Sequence, residues 1–147
     1  MQGVRIVELP ACRMVSSESG QFGDCKLERF IAWMDAQERE LFPCDFLYYD
    51  RQRNGFVWLY RYREGMTVPT ELQIVDFAGG LYAVTTDIDQ QTDRDMMMFE
   101  LDVFLKENGF VRDVSREGMG HIITSPAVQK VLGYEQMNYF TPVKSIR

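Results

Sequence analysis

The chain has 147 residues, is 46% hydrophobic and 13% aromatic, and carries a formal net charge of −6. That length suits one domain with a filled core and aromatics to spare. The acidic balance excludes the phosphate-neutralising face a nucleic-acid binder needs, and no apolar run nears the roughly 18 residues of a membrane helix.

The N-terminus, MQGVRIVELPA, reads as a strand rather than as the basic-then-apolar pattern of a signal peptide. Cys12, Cys25 and Cys44 are widely spaced, and His121 is the one histidine. A structural metal site would have few ligands, so no metal and no cofactor are expected, and a reducing cytoplasm is the simplest compartment.

In chain order, VRIVELPACRMV (4–15) is a strand-like run interrupted at Pro10-Ala11. KLERFIAWMDAQEREL (26–41) is a helix with Leu27, Phe30, Ile31, Met34 and Leu41 at helical spacing, Asp24 as N-cap and Pro43 as its stop. FLYYD (46–50) and FVWLYRY (56–62) flank Arg53-Asn54-Gly55, a hairpin signal. REGMTVPTE (63–71) then leads to LQIVDFAGGLYAV (72–84), a second interrupted strand. RDMMMFELDVFLKENG (94–109) is a second helix, with a stripe of Met97, Met98, Leu101, Phe104 and Leu105 and Gly109 at its C-terminal end. GFVRDV, HIIT and QMNYFTPVK follow as strands.

VELPA and VDFAG match in type at every position, and each half reads as strand, helix, then a pair of strands. The expected fold is therefore α+β: two pseudo-symmetric β-α-β-β units, about 1–64 and about 70–147, forming one domain with antiparallel sheets and helices on one side. Gly79-Gly80 lacks the GxGxxG and GxxxxGK[ST] spacings and is followed by a strand, so it serves a bend and not a phosphate cradle.

Several residues invite a functional reading. Phe56, Trp58, Tyr60 and Tyr62 alternate onto one strand face. They form either core under a helix or an aromatic wall for a planar ligand, and Tyr48 joins them if FLYYD pairs with this strand. MMMF (96–99) is chiefly helix core, though Met98 or Phe99 could line an adaptable surface. His121 lacks a nucleophile partner and any H-E-x-x-H pattern, which favours a structural or surface role. Cys25 reads as an idle thiol. Asp87, Asp89, Asp93 and Asp95 lack a calcium-loop pattern and read as a solvated loop and helix N-terminal charge.

YRYREGMTVP (60–69) followed by VDFAGGLYAV (75–84), with MNYFTPVK (137–144), SGQF (19–22) and FLYYD (46–50), resembles the GyrI-like effector-binding domain of AraC-type and MerR-type regulators. The resemblance covers nearly the whole chain through the order and spacing of its motifs. It implies β-α-β-β units about a pseudo-dyad with a central ligand groove. The implied function is binding of an amphipathic or aromatic small molecule, as part of a transcriptional regulator or as a stand-alone protein, without catalysis. It implies ligand contacts at Trp58, Tyr60, Asn138 and Phe140, and Tyr48, Met98 and Phe99 complete the expected set. Alternatives are a hydrolase of reactive cyclopropane-bearing compounds and a gyrase-inhibitor-like protein interaction module. No helix-turn-helix precedes the domain, so a DNA-binding part lies outside this chain or the protein stands alone.

Two positions depart from the pattern. Asn138 stands where multidrug-responsive relatives carry Glu, and an amide cannot neutralise a buried cation. DIDQQ (87–91) lacks a glycine matching Gly20.

Overall fold

The computed structural model describes residues 3–38 and 44–147. The elements run β1 (Arg5–Leu9), β2 (Cys12–Ser16), α1 (Cys25–Asp35), β3 (Asp45–Asp50), β4 (Gly55–Arg61), β5 (Gln73–Phe77), β6 (Gly80–Ile88), α2 (Arg94–Glu107), β7 (Phe110–Arg112), β8 (Met119–Ile122), α3 (Pro126–Leu132) and β9 (Gln136–Ser145). The described strand pairings are antiparallel, so the α+β class with antiparallel sheets is the observed one. No described helix is long and apolar enough to cross a membrane.

The chain divides into two compact units, one of residues 10–79 and the other of 1–9 with 80–147. In unit 10–79 the strands are ordered β3-β4-β2-β5. α1 lies on one face of this sheet, where Val15, Phe30 and Tyr60 form the buried centre and Trp33, Met34 and Leu72 pack against it. Asp24 caps α1 as expected, its Oδ1 accepting from Leu27 N at 2.8 Å. The helix ends at Asp35, and Leu41 and Pro43 lie outside the described residues.

In the other unit the order is β1-β6-β9-β8, with β7 also paired to β9. α2 covers one face through Leu101 and Leu105, which pack with Ala83 and Val143; Met98 and Phe104 join them. That is the expected apolar stripe. Asp93 caps α2 by accepting from Met96 N, and Gly109 takes φ +80° just beyond its end.

The two units are built alike: β2-α1-β3-β4 in one, β6-α2-β8-β9 in the other. Each sheet is completed by a strand from elsewhere in the chain. Phe77 of β5 pairs with Cys12 as Leu9 of β1 pairs with Gly80. The chain passes from one unit to the other at the two interruptions, after Leu9 and after Gly79.

The second interruption needs its glycines. Gly79 and Gly80 have φ of +68° and +122°, and a Cβ on Gly80 would lie 2.5 Å from Arg116 Nη1. Arg116 sits there because its guanidinium bonds Asp113 Oδ2 and the carbonyls of Leu81 and Val143 at 2.9, 2.8 and 3.0 Å, over the Tyr82 ring. Gly80 thus leaves room for a charged staple that holds the 113–116 loop onto β6 and β9.

Candidate functional site

Strand alternation assigns each side chain to the helix face or the opposite face of its sheet. In unit 10–79, Val15 lies opposite Tyr60 and beside α1, which puts Trp58 and Tyr60 on the helix face. Tyr60 is 4% exposed, edge-on to Trp33 at 5.5 Å between centroids. Trp58 is half-buried, and its indole Nε1 donates to Asp45 Oδ2 at 3.1 Å. Phe22 and Phe56 extend this aromatic surface at 5.0 Å.

FLYYD does pair with this strand, but Leu47 faces Trp58, Tyr49 faces Phe56 and Tyr48 faces Val57. Tyr48 therefore points to the other face, away from Trp58 and Tyr60. Tyr49 takes the place beside the aromatics, its ring 5.2 Å from Phe56.

In the other unit, Met98 packs into the core beneath α2, while Phe99 points outward and is 70% exposed. Asn138 and Phe140 lie on the face opposite α2, as the pairings Thr86 with Asn138 and Val84 with Phe140 require. Phe140 is buried at 4% exposure, with Tyr82 edge-on at 6.2 Å. The seven expected ligand residues thus fall into separate groups. Tyr48, Asn138 and Phe140 occupy the helix-free faces of their sheets, Trp58 and Tyr60 a helix face, Met98 a core, and Phe99 an outer helix surface.

The helix-free face of β6, β9 and β8 is built in rows set by the register. Val84, Phe140 and Met119 make one row, all buried. Thr86, Asn138 and His121 make the next, and these are exposed or half-buried. The Thr86 hydroxyl donates to Asn138 Oδ1 at 2.9 Å. An apolar floor, itself closed to solvent, therefore runs directly beside a polar ledge that solvent reaches.

Sequence reasoning set His121 aside and did not single out Thr86. No sequence signal marks them, because they join Asn138 only through the pairing of β6 and β8 with β9.

On the helix side, Asp87, Thr92 and Arg94 line a cavity of ≈250 Å³. Burial pushes the Asp87 carboxyl up, against a Thr92 hydrogen bond and the Arg94 charge. A larger recess of ≈570 Å³ lies along α2 between Val4, Glu100, Val103 and Glu107. None of the seven expected residues lines either one.

No protein-family model matches the sequence, and no curated protein matches it. Solved structures do match over nearly the whole chain. A hydrolase from Listeria innocua shares 11% identity at a TM-score of 0.65, over 96% of this chain and 91% of that one. The EcmrR C-terminal domain shares 12% at a TM-score of 0.64, over 97% and 98%. SAV2435 bound to tetraphenylphosphonium shares 12% at a TM-score of 0.59, over 97% and 94%. Against EcmrR in its DNA complex, this chain spans 57% of that protein's length. The chain has the fold of the EcmrR C-terminal domain, which is the fold that its resemblance to GyrI-like effector-binding domains implied.

Proposed function

We propose that this chain is a small-molecule effector-binding domain that holds an amphipathic or aromatic ligand and performs no chemistry on it. The observation that carries this reading is the helix-free face of β6, β9 and β8, where the row Val84, Phe140, Met119 adjoins the row Thr86, Asn138, His121. Two structures of the same fold support it: SAV2435 is bound to tetraphenylphosphonium, and EcmrR carries this fold as its C-terminal domain. Because the chain spans 57% of EcmrR in its DNA complex, a regulator would place its DNA-binding part in a separate domain.

The test is a thermal-shift screen against a library of aromatic amphiphiles, with Trp fluorescence as a second readout. A ligand at a hundredfold excess over its Kd stabilises the folded state by about 2.7 kcal/mol, a readily measured rise in melting temperature. A broad library with no shift and no quenching sinks the reading.

The hydrolase from Listeria innocua favours a second reading, hydrolysis of a reactive electrophile. Asn138 cannot act as a general base, so within this row that part would fall to His121. Turnover of an electrophilic compound followed by mass spectrometry, lost on mutation of the Thr86–Asn138–His121 row, would establish it.

A further inference from the structure

The polar row has a direction. Thr86 Oγ donates to Asn138 Oδ1, so the oxygen end of the amide is engaged. Among the described residues Asn138 Nδ2 meets no acceptor. The group this side chain presents is thus an N–H donor. Asn138 is half-buried and Thr86 exposed, so the donor sits at the edge of the apolar floor, within reach of a ligand.

The ionisable neighbours agree with it. On β1, Arg5 lies opposite Val84 and so shares the face of Asn138, as does His121 on β8. The carboxylates of these strands point the other way: Glu8 lies opposite Leu81, and Asp87 opposite Met137, both on the α2 side. Among the described strand residues of this unit, the face that holds Asn138 therefore carries basic groups and amides, and its acids are turned to the opposite side.

We propose that the Thr86–Asn138–His121 row recognises a hydrogen-bond acceptor, a carbonyl or carboxylate oxygen borne on an aromatic body, and discriminates against lipophilic cations. This rests on the ligand-binding reading above and assigns the chemical class of its ligand. An acceptor oxygen at Nδ2 satisfies a donor that meets no acceptor among the described residues. A cation in the same position would leave water with no carboxylate of β1, β6, β8 or β9 to compensate it and would face an amide N–H and a guanidinium. Selectivity of this kind arises as much from the mismatch imposed on the wrong ligand as from the match with the right one.

The experiment titrates the full ¹⁵N-labelled chain with three compounds on one ring system: 2-naphthamide, 2-naphthoate and 2-naphthyltrimethylammonium. The side-chain NH₂ pair of Asn138 is identified by its disappearance in Asn138→Asp. The amide or the carboxylate, or both, move that pair, and the ammonium compound binds about tenfold more weakly or worse. Asn138→Asp keeps an oxygen for Thr86 but removes the donor and adds a negative charge. It loses acceptor binding and inverts the order in favour of the ammonium compound, at an unchanged melting temperature that excludes misfolding. Ammonium binding as tight as that of the acceptors, or acceptor binding that leaves the Asn138 pair unmoved or survives Asn138→Asp, overturns the proposal while leaving the ligand-binding reading intact. Absence of any perturbation by all three overturns both. Amide and carboxylate binding together point to the shared carbonyl, whereas carboxylate binding alone points to an anion held with help from Arg5.

Discussion

Gly80 offers the sharpest test of the local physics. Substitution by alanine imposes two separate costs. At φ +122° an L-residue occupies a sparsely populated backbone region, worth about 1–3 kcal/mol. The new methyl also falls 2.5 Å from Arg116 Nη1, and the guanidinium can yield only by leaving the carbonyls of Leu81 and Val143. Charge-assisted bonds of that kind contribute about 1.5–3 kcal/mol. Together Gly80→Ala costs about 2.5–6 kcal/mol, a fall in melting temperature on the order of 10 °C or more for a chain of this size. The two parts separate in a double-mutant cycle. In an Arg116→Ala background no guanidinium is displaced, so Gly80→Ala retains only the backbone cost of about 1–3 kcal/mol. Calorimetry or circular dichroism on the wild type, both single variants and the double supplies all four corners. A Gly80→Ala variant within 1 kcal/mol of wild type, or the same cost in both backgrounds, would refute the reasoning.

Three further expectations follow from named contacts. Hydrogen bonds from Ser115 and Arg116 hold the Asp113 carboxyl at about 2, below its ordinary 3.8. Since the folded value is the lower one, the stabilisation is present above pH 3.8 and disappears as pH falls toward 2; the difference in melting temperature between wild type and Asp113→Asn should shrink across that window, and a constant difference would exclude the linkage. Leu101 is fully buried between Ala83, Leu105 and Val143, so Leu101→Ala costs about 2–5 kcal/mol by urea denaturation. The buried Thr141 hydroxyl has no hydrogen-bond partner among the described residues, and Thr141→Val should raise stability by about 1 kcal/mol, a gain that a matched pair of urea curves detects.

The elements legible in the sequence were those with a periodic face or a recognisable cap. The stripe Met97, Met98, Leu101, Phe104, Leu105 announces α2 because one side of that helix meets a sheet. Asp24 announces the start of α1. α3 escaped because none of its residues is buried, which leaves no stripe to detect. Its punctuation was nevertheless present: Ser125 accepts from Val128 N at one end and Gly133 takes φ +78° at the other. The hairpin at Asn54-Gly55 is real but longer than the dipeptide suggests. Asn54 takes the positive φ, and Gly55 opens β4, where a Cβ would collide with Ser19 Oγ. A two-residue loop and the observed four-residue one both pair odd-numbered residues of β3 with even-numbered ones of β4. Parity therefore places Tyr49, not Tyr48, on the sheet face of Trp58 under either reading. Strand partners were less accessible. VELPA and VDFAG identify a repeated interruption, yet nothing local in them tells β1 to pair with β6 and β5 with β2.

That repeat also shows where the two units have diverged. Registering Phe77 on Cys12 with Leu9 on Gly80 makes Val15 the counterpart of Ala83, each beneath its helix. Tyr60 then corresponds to Thr141, and Val57 to Asn138. Across the next strand, Tyr48 faces Val57 where His121 faces Asn138. The same place on the same sheet is apolar and aromatic in one unit, an amide beside an imidazole in the other. Under the helices Val15 and Ala83 keep an apolar character, whereas Tyr60 and Thr141 do not. The helix-free faces have separated into an apolar version and a donor-bearing one, at positions that the matching pentapeptides do not include. The difference between Val57 and Asn138 is therefore the most economical place to look for what this chain selects, and exchanging them, Val57→Asn in one unit and Asn138→Val in the other, separates a binding role from a packing one.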